Sequence, residues 1–303
     1  MPTRVARRRW RPLYPLSLRV LLGLHRRGPA DPTHADDASG GLWRTARTPD
    51  GAVTLRVAVD GGEVDATAWG RGAEWVLEHL PAWLGDGDDI SGFRPTPPLL
   101  RDAARRVNGP RVGRTGLVME ALIPAILEQK VTGGESHRSF GRLVRRYGDP
   151  APGPERGLVV VPSADTWRSI PSWDWHRAGV GPQRASTCVR AATLAPRLEQ
   201  VVVSPERADA VLRAVPGVGA WTSAEVRARA LGDADAVSVG DAHVPRLITY
   251  ALTGRVSDSD DDMLEALLPY VGHRFRVQRA LEMAGVRAPR FGPRYAPHDF
   301  RAM

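Results

Sequence analysis

A Pro-Gly-Val-Gly tetrapeptide at 216–219, set between two stretches of helical periodicity, restricts the fold of this chain more than any other feature. A helix reaching Val215 must stop there, because Pro216 has no N–H to continue it and its ring clashes with the preceding turn. Gly217 and Gly219 supply a tight turn, after which a helical period resumes over 222–230. The backbone N–H groups that open the second helix lack intrahelical partners, which suits them to a phosphate oxygen. Farther along, Gly240-Asp241 stands in VSVGDAHVPR, at the start of the next helical segment, with Pro245 inside its first turn. Asp241 reads first as an N-cap, a role compatible with that of a carboxylate near the hairpin.

Around this stretch the elements fall into two groups. Residues 16–22, 42–48, 53–59 and 64–69 alternate apolar and polar side chains and are parted by turn signals at 49–51 and 60–62, which predicts an antiparallel sheet. A helix over 73–84 is expected to cover one face of it. The Gly-, Asp- and Pro-rich stretch 85–98 reads as a boundary. Beyond it, helical spacing recurs at 99–107, 117–131, 136–147, 182–198, 205–214, 222–230, 244–252, 261–270 and 275–284, with a Pro-rich exposed loop over 148–162. The expected fold class is therefore α+β: a small N-terminal antiparallel sheet domain over 1–92, then an all-helical domain over 93–303.

A formal charge of +8 at pH 7 favours an anionic partner, with the basic residues spread along the chain. Lys130 is the one Lys among 42 Lys and Arg residues, a bias that makes its position worth noting. A single Cys excludes an internal disulfide and a Cys-ligated zinc or iron-sulfur site, and the eight His lack ligand spacing, so no metal is expected. No apolar run reaches the roughly 18 residues of a membrane span. The basic opening MPTRVARRRW reads as an arm leading into a strand, and the expectation is a soluble, cytoplasmic, nucleoid-associated monomer without membrane contact.

LRAVPGVGAWTSAEV followed by VSVGDAHVPR resembles the helix-hairpin-helix DNA glycosylase superfamily, with its Gly/Pro-rich hairpin and downstream Asp. The upstream LVMEALIPAILEQKV, with Ile126-Leu127-x-Gln129, is similar to the strand-wedging segment of the same family. Within the superfamily the resemblance is to 3-methyladenine DNA glycosylase II, which has Trp-Thr where Trp221-Thr222 stand, and it covers roughly 99–285.

The resemblance implies base-excision repair: double-stranded damaged DNA as partner, flipping of a damaged, alkylated base, and hydrolysis of its N-glycosidic bond without a cofactor. It makes Asp241 the catalytic carboxylate and assigns DNA contacts to Gln129, Lys130, Pro216, Gly217, Val218, Gly219 and Thr222. Bifunctional relatives carry a Lys where Trp221 stands, so a monofunctional enzyme is implied. The base pocket would take in Trp221, Glu225 and Glu282, the two Glu standing where stacking aromatics belong in the family. That departure leaves room for a lesion range including bulky or cross-linked adducts. A non-catalytic damaged-DNA-binding protein is the alternative of another class, against which the retained Asp241 speaks. Lys130 can act as a wedge, as a phosphate contact or as an amine reaching an abasic sugar. Glu128, His243, Arg246 and Arg274 lie beside these motifs, with Glu128 a possible second carboxylate for Asp241.

Overall fold

The computed structural model describes residues 4–201 and 205–289. It is a mixed α/β molecule in which β1 (Val5–Trp10), β2 (His34–Asp36), β3 (Leu42–Thr48), β4 (Gly51–Asp60) and β5 (Glu63–Gly70) form one antiparallel sheet in the order β1-β5-β4-β3-β2. Two expectations at its start are corrected. The basic arm is itself the edge strand β1, pairing Val5 with Trp69 through Trp10 with Val64. Its Arg7 and Arg9 point to water while Ala6 and Trp10 turn inward, which is how an edge strand tolerates charge. Residues 16–22, expected as a strand, instead contain the short helix α1 (Leu18–Leu21), because the Ser17 hydroxyl accepts from the Val20 N–H and the apolar run buries Leu21 and Leu22.

The alternation predicted for the strands places Val53, Leu55, Val57, Val64, Ala66 and Ala68 against α2 (Ala73–Trp83), which contributes Val76, Leu77, Leu80 and Trp83. The loop expected to be exposed over 148–162 is largely docked. It forms a two-stranded ribbon, β6 (Asp149–Pro150) with β7 (Val159–Val160), and Val160 is fully buried. The Thr45 hydroxyl donates to the Val159 carbonyl at 2.7 Å and Arg47 Nε to that of Val161 at 3.0 Å, so the backbone groups of the loop are satisfied by the sheet.

The helices that follow are α3 (Pro98–Arg106), α4 (Val118–Leu127), α5 (Gly133–Tyr147), α6 (Ala164–Ser169), α7 (Ser172–Ala178), α8 (Pro182–Thr193), α9 (Ala195–Leu198), α10 (Pro205–Arg213), α11 (Ala220–Val226), α12 (Val244–Thr253), α13 (Asp260–Leu267) and α14 (Arg274–Met283). α6 and α7 are too short to register as periodicity. The segment 182–198 is broken at Leu194, where Pro196 enters the next helix near its start. The helix over 222–230 ends its α-helical part at Val226 and runs on as a π-helical stretch, Arg227–Leu231, closed by Gly232.

Two helical cores result. α4, α5, α8, α10 and α11 pack around Ile123, Ile126, Leu143, Cys188 and Leu212. α3, α12, α13 and α14 pack around Leu100, Ile248, Met263 and Val277, joined there by Val20 from α1. The stretch 85–98 is fastened to the second core by Arg276, which has no solvent exposure. Its guanidinium donates to both Asp88 oxygens at 2.6 and 2.7 Å and to the Pro110 and Asp89 carbonyls. The sheet is tied to α4 by Glu120, which accepts from the Arg47 N–H at 2.6 Å and from Arg44 at 3.3 Å. Burial pushes the Glu120 pKa up, against the opposing pull of Arg44.

Candidate active site and nucleic-acid interface

The hairpin lies between α10 and α11. Val215 and Val218 anchor it in the first helical core, while Pro216, Gly217, Gly219 and Ala220 are exposed. Gly217 has φ +97°, and a Cβ on it would lie 2.3 Å from the Thr187 hydroxyl, so the position demands glycine on two counts. α8 braces the turn from beneath, Arg190 Nε donating to the Pro216 carbonyl at 3.1 Å. Gly219 opens α11 with an extended backbone and no side-chain cap, leaving the first turn of the helix without that form of satisfaction.

Gln129 joins this turn to the end of α4. Its amide donates to the Gly217 carbonyl at 2.9 Å and to the Thr222 hydroxyl at 2.8 Å. Thr222 is buried, so in this arrangement both side chains hold the hairpin in shape. Val218 is likewise buried. Lys130, the next residue along, is exposed at the apex of the α4–α5 turn, with φ +54°, a left-handed conformation rare for a side chain of this length.

Asp241 lies just ahead of α12, and hence on the second helical core, whereas the hairpin belongs to the first. Its Oδ1 accepts from the His243 and Val244 N–H groups at 2.7 and 2.9 Å, which caps α12. Its Oδ2 accepts from the indole Nε1 of Trp221 at 2.9 Å. The half-buried carboxylate is thus fixed from two directions, one donor coming from the hairpin helix itself.

The two Glu residues expected in the base pocket are both engaged. Glu225 is buried; its Oε1 accepts from the Ser238 hydroxyl at 2.8 Å and its Oε2 pairs with Arg229, one turn on. Glu282 accepts from Gln278 at 2.9 Å and lies 3.6 Å from Arg279. Burial raises the Glu282 pKa, against Arg279 and with Glu225 adding to the rise. Burial also holds Arg279 down to about 10. Glu128 is paired with Arg27 at 2.8 Å and lies 3.8 Å from His137. His25 is held well below its usual pKa by burial and by the nearby Arg44 and Arg229.

Arg27, His25, Arg229, Ser238 and Arg279 are absent from the sequence-level site. They are single residues from distant parts of the chain, and only the fold gathers them. Arg246 pairs with Asp258 and Arg274 with Asp235, while His243 is exposed. Trp175 is buried and stacked on Trp167, and Trp173 is 62% exposed. Among the described residues no group of three or more His, Cys, Asp or Glu could hold a metal ion, and no helix is long and apolar enough to cross a membrane.

No family model matches the chain. Over 149 residues it is 31% identical to a protein of Mycobacterium tuberculosis named as a probable bifunctional transcriptional activator/DNA repair enzyme AlkA. That match takes in 48% of this chain and spans only 29% of the relative's length. A 3-methyladenine DNA glycosylase structure from Archaeoglobus fulgidus superposes with a TM-score of 0.75 at 18% identity, covering 92% of this chain and 98% of that one. An 8-oxoguanine glycosylase/lyase of Clostridium acetobutylicum, in complex with double-stranded DNA, superposes with a TM-score of 0.66 at 13% identity, over 89% and 93% of the two chains. At such identities the superpositions speak to a common fold. The chain thus shares the fold of these DNA glycosylase structures and, over about half its length, is similar in sequence to AlkA.

Proposed function

We propose that this chain is a monofunctional DNA N-glycosylase that extrudes an alkylated base from duplex DNA and hydrolyses the bond between base and sugar. The observation that carries this reading is the Asp241 carboxylate held by the Trp221 indole at 2.9 Å, beside a hairpin whose exposed backbone suits phosphate. As the C1′–N bond breaks, its electron pair leaves with the base and positive charge develops on the sugar. A fixed carboxylate lowers the energy of that charge without having to reorganise. Water then adds to C1′ and loses a proton, which completes the hydrolysis. An alkylated base that is already cationic leaves readily and needs little acid assistance.

Trp221 supplies no amine, so the sugar is not captured covalently from this position and the strand stays intact. The hairpin N–H groups set the position of the DNA and read no sequence. Residues 1–92 would act as a unit supporting the helical part, where the cleft lies at the seam of the two helical cores.

The reading is tested by incubating the protein with duplex oligonucleotides that each carry one alkylated or deaminated base, comparing wild type with Asp241→Asn. The expected result is base release from at least one alkylated duplex, lost in the variant. No release from any duplex, or equal release by the variant, would overturn it. Borohydride treatment during the reaction is expected to trap no protein–DNA adduct; an adduct that disappears in Lys130→Gln would instead make the enzyme bifunctional through Lys130.

A further inference from the structure

We propose that the outer face of α5 is a second phosphate-contacting surface, on which duplex DNA runs beyond the hairpin; the proposal rests on the glycosylase reading. α5 turns Ser136, Ser139, Phe140, Leu143 and Val144 inward, and Arg138, Arg142 and Arg145 are exposed on the opposite side. Spaced four and three residues apart, these arginines form one row about 10 Å long at 1.5 Å of rise per residue. A strand of B-DNA presents a phosphate about every 3.4 Å of helix axis, so the row faces roughly three of them.

The charge of the row is not balanced from within. The ion pairs of this helix belong to His137, with Glu128, and to Arg146, with Asp174; among the described residues none of the three arginines is paired with a carboxylate. Glu135, the single acidic residue of α5, is committed to a capping box with Thr132. Like charges at this spacing destabilise a helix in water. A solvated surface helix usually interleaves the two signs, and this one does not.

The row is also continuous with the hairpin. Gln129 is bonded to Gly217, Lys130 is exposed directly after it, and α5 begins three residues later. Arg138 folds back toward that turn, its guanidinium lying over Gly134 in the first turn of the helix. At the far end Arg145 is held in place by the Ala30 carbonyl at 2.5 Å, which fixes its guanidinium before any ligand arrives. Charge of one sign, fixed placement and a direct link to the hairpin together point to the phosphate backbone of the duplex the hairpin holds.

The test measures binding of an undamaged 30-base-pair duplex across a salt series, using the full chain. Three proteins are compared: wild type, the triple variant Arg138→Ser/Arg142→Ser/Arg145→Ser, and the same three positions changed to Lys. The expected slope of log affinity against log salt is shallower by about 2 to 3 in the Ser variant, at about 0.9 per phosphate lost, and is retained in the Lys variant. An unchanged slope in the Ser variant overturns the proposal, as does equal loss in the Lys variant, which would assign the effect to packing. Equal binding of a 30-nucleotide single strand, with the same loss, overturns the duplex assignment. Wild type that fails to bind the duplex at all would sink the glycosylase reading itself.

Discussion

The two ends of α11 solve opposite problems. At its start, Pro216, Gly217 and Gly219 leave backbone open to solvent, and Trp221 reaches one carboxylate on the neighbouring core. One turn later the acidic group is turned in on the protein: Glu225 is taken up by Ser238 and Arg229, and the helix slackens into π geometry at Arg227–Leu231. On the proposed reading, the first end would meet a phosphate of the duplex and the charge developing on the sugar, while the second would shape what the cleft admits, with paired charges where aromatic rings were expected. DNA engagement and lesion choice would then separate along about two turns of one helix.

Substitutions can break or sharpen that separation. Asp241→Asn should reduce base release by about 10³-fold, about 4 kcal/mol of barrier, in single-turnover assays while leaving duplex affinity nearly unchanged. Comparable losses in both would merge the two roles. Glu225→Gln leaves Arg229 unpaired and nearly buried and should cost about 3 kcal/mol in denaturant unfolding, with the profile of accepted lesions altered. A variant that loses stability but keeps the wild-type lesion profile would show that this end of the helix is scaffold alone.

Gly217→Ala forces a Cβ onto Thr187 at positive φ, for a cost of about 2 kcal/mol, and should weaken binding to damaged and undamaged duplex alike. Trp221→Phe keeps a ring but removes the donor to Asp241. It should lower kcat about tenfold with KM little changed, and a change in KM alone would mean that Trp221 serves only the base pocket. The smallest effect concerns His25. Its folded-state pKa is depressed, so the stability it contributes is present above its ordinary value near 6.5 and is lost as pH falls below it. Melting temperatures between pH 7 and 5 should fall less steeply in His25→Asn, and identical slopes would remove His25 from the charge cluster.

Much of the first end of α11 was legible because its chemistry is local. A proline that ends a helix, two glycines, and an Asp placed to cap the next helix are readable from neighbouring residues. The strands over 42–48, 53–59 and 64–69 were readable for a similar reason, since alternation reports a half-buried sheet wherever it occurs. The failures share a cause as well. The alternation of 16–22 suits a strand and a short capped helix alike, and only Ser17 with the burial of Leu21 and Leu22 decides between them. The ribbon at 149–160 looked solvent-borne because its partners, Pro32, Thr45 and Arg47, lie more than a hundred residues away. Arg27, Arg229 and Glu128 were invisible as a group because no spacing encodes a cluster assembled from the end of α4, the stretch after α11 and the segment before β2.

The buried guanidinium of Arg276 sets an order of events during synthesis. Asp88 precedes it by 188 residues, which a ribosome working at about 5–20 residues per second needs roughly 10–40 s to cover. Through that interval the sheet can pair, α2 can dock, and Arg111 can reach the Gly85 and Asp88 carbonyls, but the Asp88 carboxylate has no guanidinium to close on. The nascent chain therefore passes through a stage in which its sheet and α2 are assembled while that carboxylate still waits for its cation. α14, the last of the described helices, supplies it.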